Sequence, residues 1–174
     1  MMKTSSDDQD LLLDLLNTMP VTHGEPHDAL RDQEAAAAWT RDRGGVGTPA
    51  EVTTVRAVRD HLQAVARGEE APQVLAPFVR GSSRLPTMEG GALQWQLHAP
   101  ATELLAARAV IAWSELEQEH PGRLRACGNP ECRLFLIDRS HANRAQWCSM
   151  STCGNRMKAR RHYRRRREAA GGAD

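Results

Sequence analysis

The sequence predicts an α+β protein, predominantly α-helical. It is read as a helical N-terminal domain with one small β-hairpin, joined to a C-terminal four-cysteine finger that runs into a basic helix. Three observations predict this. Apolar residues recur at helical spacing over much of residues 6–119, and period-two alternation is confined to a short run at 93–98. All four cysteines lie between positions 127 and 153. The charge is also divided: residues 127–174 hold 11 Lys+Arg against 4 Asp+Glu, a +7 tip, while residues 1–126 hold 12 against 18, a −6 body, although the 174-residue chain nets only +1. An acidic body with a basic tip assigns polyanion contact to the tip.

The composition, 40% hydrophobic and 26% charged, suits a soluble globular protein. No apolar run approaches the length of a membrane span. Leu11–Leu13 is interrupted by Asp14 and preceded by acidic residues, which does not fit a signal peptide. With its thiols reserved for a metal, the chain is expected in a reducing cytoplasm.

In chain order, Ser5 and Ser6 can cap a first helix, with Asp7 and Asp8 in its first turn. Leu12, Leu15, Leu16 and Met19 form its core stripe, and Pro20 ends it. Asn17 and Thr18 are turn or cap residues. Residues 20–27, with His23, Glu25 and His27, read as a solvent loop rather than a metal site. A second helix is expected over 32–43, closed by Gly44-Gly45. Thr48-Pro-Ala-Glu51 is a capping box with proline at the first helical position. It opens a helix that carries Val52, Val55, Val58, Leu62 and Val65 on one side and ends near Gly68. A short helix interrupted by Pro77 follows over 71–79.

Residues 85–88 and 93–98, separated by Gly90-Gly91, read as a hairpin. Leu93, Trp95 and Leu97 are expected to face inward, and Pro86 confines the first strand to an edge. Pro100 is expected to open a long helix to about Glu119 that buries Leu104, Leu105, Ala109, Ala112 and Leu116. Pro121-Gly122 stops it. The domain boundary falls there, giving a body at 1–122, a finger with its helix at 123–168 and a disordered tail at 169–174.

The finger reads C-x4-C, a fifteen-residue gap, then C-x4-C: Cys127, Cys132, Cys148 and Cys153. Two close pairs let two turns meet around one tetrahedral ion, and Zn²⁺ held by four thiolates suits that geometry. Two disulfides would leave the segment untied to the rest of the chain. An iron–sulfur cluster usually takes C-x2-C spacing. A closed four-thiolate site has no open coordination position, so one structural zinc is expected. The metal stands in for the core that about forty residues cannot build. A knuckle at 127–132, a small hairpin, a knuckle at 148–153 and a helix together describe a treble-clef-like zinc finger.

Trp147-Cys-Ser-Met150, Cys153-Gly-Asn-Arg156, the upstream cysteine pair and Asp138-Arg-Ser140 resemble the CGNR zinc-finger family of bacterial proteins. The Leu-rich first helix running into Asn17-Thr18 resembles the ABATE domain that precedes such fingers. The resemblance implies zinc on the four cysteines, a finger that touches DNA and a role as a stress-responsive transcription regulator, with the body as a regulatory or ligand-sensing part. The chain departs from the pattern at His141, where an arginine is common, and at Ala145-Gln146, where a basic pair is common.

The helix after Cys153 is cationic on every face, so only Met157, Ala159 and Tyr163 could pack on the finger. Arginine forks suit phosphates and guanine edges. The candidate nucleic-acid contacts are Arg139, Arg144, Arg156, Lys158, Arg160, Arg161, Arg164 and Arg165, with Arg156 also placed to brace the knuckle backbone. DNA is the expected partner, a homodimer and a small-molecule effector are open, and no membrane is involved. Trp39, Trp95, Trp113 and His98 could line an effector pocket, although such residues are more often core. No P-loop, nucleophile elbow, H-E-x-x-H or dinucleotide fingerprint is present, so the chain reads as a non-enzyme. A protein-interaction adaptor with the zinc as a clip is the alternative. RNA binding is a further one and would require Trp147 or Tyr163 to be exposed.

Overall fold

The computed structural model describes residues 6–22 and 24–171. Helix α1 (Ser6–Leu16) leads through a two-residue hairpin, β1 (Val21–Thr22) and β2 (Glu25–Pro26), to α2 (Gln33–Arg41) and α3 (Pro49–Arg67). A 3₁₀ segment (Pro72–Val79) precedes the hairpin β3 (Ser83–Glu89) and β4 (Ala92–His98), and α4 (Leu104–Glu119) follows. Strands β5 (Leu124–Ala126) and β6 (Phe135–Ile137), a wide turn (Met150–Gly154) and α5 (Asn155–Gly171) complete the chain. Ser5, His23 and the last three positions of the expected tail, 172–174, lie outside the described residues, whereas 169–171 continue α5.

The caps are built from the residues that signal them. Asp32 accepts the Ala35 N–H at 2.9 Å and opens α2. Thr48 accepts the Glu51 N–H at 3.3 Å and opens α3. The return arm of that capping box reaches one residue further than usual, since the Glu51 carboxylate takes the Gly47 N–H at 2.6 Å. Gly68, at φ 74°, ends α3 in a left-handed cap.

The core is a helical layer. Leu12, Leu15 and Leu16 of α1, Val52, Val55, Val58 and Leu62 of α3, and Leu105, Ala109 and Leu116 of α4 are all buried in one cluster. Each leucine or valine among them contributes about 1.5–3 kcal/mol by leaving water. Leu124 and Phe135, from the strands that carry the finger, belong to the same cluster. Polar ties surround it. Gln63 satisfies the Leu16 carbonyl at the end of α1 at 2.7 Å. The buried Arg59 clamps Asp28 through two bonds of 2.6 and 3.1 Å. Burial pushes the Asp28 carboxyl up, but Arg59 and the Leu30 N–H outweigh it and hold it below the usual carboxylate range.

Residues 20–27, expected as a loop, instead pair Val21–Thr22 with Glu25–Pro26, and four further expectations are corrected. Leu93 and Trp95 do not face a core: they are 58% and 44% exposed, and Leu97 is only half-buried. Alternation sets which residues share a face but not what lies beneath it, and this hairpin overhangs the body beyond the Arg84–Glu115 ion pair at its base. Helix α4 starts at Leu104 rather than Pro100, because 100–103 form a turn closed by the Glu103 N–H on the Pro100 carbonyl. Leu105 therefore takes the core position and Leu104 is half-buried. Met19 lies past the end of α1, where the Thr18 hydroxyl donates to the Leu15 carbonyl at 2.8 Å. Residues 124–126, where no strand was expected, form strand β5, so the finger's hairpin encloses the first cysteine pair instead of following it.

Candidate metal centre and basic helix

The first cysteine pair sits in the loop of the β5–β6 hairpin. Leu124 pairs with Ile137 and Ala126 with Phe135, and the Cys127 N–H extends the ladder to the Leu134 carbonyl at 2.8 Å. Asn129 turns the loop: its backbone carbonyl accepts the Cys132 N–H at 2.8 Å, and its side-chain oxygen accepts the Glu131 N–H at 3.3 Å. Both cysteines therefore return to one side. The second pair spans the wide turn, which closes with the Gly154 N–H on the Ser149 carbonyl at 3.0 Å, an i→i+5 bond. That wider loop explains why four residues, rather than two, separate Cys148 from Cys153.

The two loops are joined at Gly128, whose N–H donates to the Gln146 carbonyl at 2.7 Å. A side chain there would lie 3.1 Å from that carbonyl oxygen and 3.2 Å from the Trp147 ring, so the approach depends on glycine. The buried Asp138 holds the chain between β6 and the second pair. Its carboxylate accepts the Ser140 and Ala145 N–H groups, each at 2.8 Å. Bonds from Ser140 and Ala145, with the nearby Arg125 charge, keep it below its ordinary range despite burial.

All four Sγ atoms lie within 4.8 Å of one another, and Cys132–Cys148 and Cys148–Cys153 are each separated by 3.7 Å. A tetrahedral zinc with Zn–S bonds of about 2.3 Å requires sulfur–sulfur edges of about 3.8 Å. The donors are of the right type and at the right separation, and none is spent in a disulfide. Four thiolates fill a tetrahedral shell, the arrangement of a structural zinc. Two N–H groups point at the sulfurs and would spread the ligand charge: the Cys148 N–H to Cys127 and the Asn129 amide to Cys153, both at 3.4 Å. Burial pushes the Cys132 thiol up to about 11 and raises Cys148 as well. At Cys153 burial is opposed by the Asn129 amide and the neighbouring sulfurs, which hold that thiol below its ordinary value.

Asn129 is 1% exposed, and sequence reasoning passed over it. Substitution by alanine is expected to weaken zinc binding by about 10- to 100-fold, as for other groups that orient a ligand from behind. Competition against a chromophoric chelator measures this, and an unchanged affinity would remove Asn129 from the site.

Helix α5 starts at Asn155, two residues past Cys153. Glu131, in the first loop, pairs with Arg156 at 3.9 Å and with Arg160 one turn later. The two arginines hold Glu131 below its ordinary range. This carboxylate, exposed like both of its partners, orients the first turns of the helix beside the knuckle, while the covalent link to Cys153 sets where the helix starts.

Residues 123–166 match the CGNR zinc finger, and residues 9–117 match the ABATE model, described as "Putative stress-induced transcription regulator". The second match spans more than half of the chain. The chain belongs to the ABATE family. No curated protein matches it. In this ABATE protein the two matched segments follow one another in the order expected, the first ending within α4 and the second starting just before β5.

The fold distributes the candidate residues of this ABATE protein unevenly. Arg156 and Arg160 face Glu131; Arg156 braces the knuckle through that side chain rather than through the backbone. Arg139 reaches Asp10 on α1 at 2.8 Å, and Arg144 is exposed in the 138–146 loop. Among the described residues Lys158, Arg161, Arg165, Arg166 and Arg167 have no ion-pair partner, and they are exposed, as is Arg164. Of the three residues expected to pack on the finger, only Met157 is half-buried; Ala159 is exposed and Tyr163 is 67% exposed. The aromatic set has no common site. Trp39 and Trp113 pack against the body core, with the Arg43 guanidinium 4.1 Å above the Trp39 ring, while Trp95 and His98 belong to the overhanging hairpin. No helix among the described residues is long and apolar enough to cross a membrane.

Proposed function

We propose that this protein is a DNA-binding transcription regulator, with the zinc finger presenting helix α5 to the duplex and the body acting as sensor or oligomerisation unit in the cytoplasm. The observation that carries this is a cationic helix anchored at its first turns by Glu131 and the metal loops, with the rest of its arginines projecting into solvent. A helix held in one direction can enter a groove, which a frayed basic tail cannot do reproducibly. The acidic body disfavours phosphate contact elsewhere, so binding is directed to the tip.

Binding of the zinc-loaded protein to a labelled random-sequence duplex is expected to weaken steeply with salt, by about 0.9 log units per log unit of salt for each neutralised phosphate. Changing Arg161, Arg165, Arg166 and Arg167 to serine leaves the Glu131 contacts intact and should flatten that slope at unchanged zinc content. An unaltered slope would remove α5 from the interface. Binding to an acidic protein at salt that abolishes duplex binding would instead favour the adaptor. The exposed Tyr163 also supports a second reading, single-stranded RNA, through base stacking. Competition between RNA and duplex distinguishes the two.

A further inference from the structure

The β3–β4 hairpin leaves an apolar face and one open edge with no partner strand among the described residues. Gly90 and Gly91, at φ 56° and 78°, form a tight two-residue turn flanked by the Glu89–Ala92 pair. Such a pair is hydrogen-bonded, and bonded pairs then alternate with unbonded ones along the ladder. Leu93, Trp95 and Leu97 fall at the unbonded positions, so their N–H and C=O groups point away from β3. On the other edge the equivalent positions include Pro86, which has no N–H to offer, and Arg84, which pairs with Glu115. Strand β4 has no lysine, proline or acidic residue to discourage pairing.

Its sequence is also self-complementary. Leu93-Gln-Trp-Gln-Leu97 reads the same in both directions about Trp95. Two copies placed antiparallel about a two-fold axis at Trp95 set Leu93 against Leu97, Gln94 against Gln96 and Trp95 against Trp95. The outward backbone groups of 93, 95 and 97 then meet in bonded pairs. We infer that β4 is a homodimerisation edge, joining two chains through a continuous four-stranded sheet ordered β3-β4-β4-β3.

Area and position favour a second copy as the occupant. Met88, Leu93 and Trp95, at 69%, 58% and 44% exposure, form an apolar patch of about 350 Å² per copy. With the strand edge, the two copies bury on the order of 1,000 Å², the lower end for a specific interface. The two-fold also carries Leu93, unsupported at the tip, beside Leu97 of the second copy, above the cleft that Leu97 forms with Ile111, Ser114 and Gln118. The inference does not depend on the DNA-binding reading.

Sedimentation of the full, zinc-loaded chain tests it. The protein is expected to dimerise at micromolar concentration. Trp95→Pro removes an outward N–H and costs the β3–β4 ladder no hydrogen bond, because Trp95 stands opposite Pro86. Leu93→Lys places like charges on both sides of the two-fold and serves if the proline variant misfolds. Each is expected to raise the dimer Kd by roughly tenfold or more. A monomeric parent protein, or a dimer indifferent to both substitutions, would overturn the inference. Register is read separately by mild oxidation of zinc-loaded Trp95→Cys. A bonded pair has Cα atoms about 5.5 Å apart, within disulfide reach, so a 95–95 crosslink is expected. Preferential crosslinking of Gln94→Cys instead would overturn the register.

Discussion

Phe135→Ala is expected to weaken the body and the finger in one step, by about 3–5 kcal/mol, the usual cost of deleting a fully buried phenyl ring. Phe135 is 1% exposed and lies in the cluster that α1, α3 and α4 form. The Arg67 guanidinium lies 4.7 Å from its ring centroid. Its backbone is held by a side chain 118 residues away: the Phe135 N–H donates to the Asn17 oxygen at 2.7 Å, and the Asn17 amide donates to the Phe135 carbonyl at 3.2 Å. Asn17 thus pairs with β6 much as a neighbouring strand would. Seven residues before Phe135 lies Gly128, and Cys127 and Cys132 flank the same loop, so the ring positions half of the metal site. Urea unfolding followed by circular dichroism, with zinc release followed by a chromophoric chelator, should show both midpoints move down together. A zinc-release midpoint that stays in place while the body melts earlier would show that Phe135 supports the body alone.

The helical body was legible in the sequence because its signals are local. The Leu stripe of α1, the Thr48–Glu51 box and the Gly68 stop each state their own secondary structure, and the structure agrees within a few residues. The cysteine spacing was legible for a similar reason, since two x4 pairs predict four converging sulfurs whatever surrounds them. Non-local pairings were harder to read. Asn17 has the profile of a turn residue, and nothing nearby in sequence reveals that β6 is its partner. Strand β5 is too short for alternation to mark it. Glu131 drew no reading at all, although its place one loop away from the start of a cationic helix was a usable signal. Asp138 was similarly readable, as an Asp two residues before a Ser is a common turn former. The hairpin was read correctly as a hairpin and wrongly as part of the core, because a period-two pattern cannot tell a core from a partner that the chain does not contain.

Removal of the metal, or Cys153→Ser, is expected to unfold the two cysteine loops and release α5 while leaving the α1–α4 core folded. The physical reason is where apolar surface is buried. Phe135 and Ile137 face the body, and Leu136 is the large buried side chain on the other face of β6; otherwise the finger buries Cys127 and Cys153 and half-buries Leu134, Trp147 and Met157. That is too little to fix some twenty residues of loop, so the ion must supply the difference. Structural zinc sites contribute about 10–16 kcal/mol at neutral pH, and one serine in place of a thiolate forfeits a large part of this. Hydrogen exchange provides the map. Amides of 148–154 should lose protection without zinc, whereas the Phe135 N–H, held by Asn17, should keep it; protected loop amides in the metal-free protein would refute the zinc requirement. The pH dependence has a definite sign. In the opened loops of the metal-free protein the thiols titrate near their ordinary value of about 8.5 and are protonated near neutrality, and while the loops stay closed burial raises Cys132, to about 11, and Cys148 further. Zinc must displace those protons, so its apparent affinity should fall as pH drops from 8 to 6, and chelator competition at each pH should show it. The helix that follows depends on the same ion: Glu131 can hold Arg156 and Arg160 only while its loop is fixed. Loss of zinc should therefore abolish ordered presentation of the arginines without changing their number, and duplex binding that survives metal removal with its salt slope and affinity intact would mean that charge alone, not the finger, is what the nucleic acid meets.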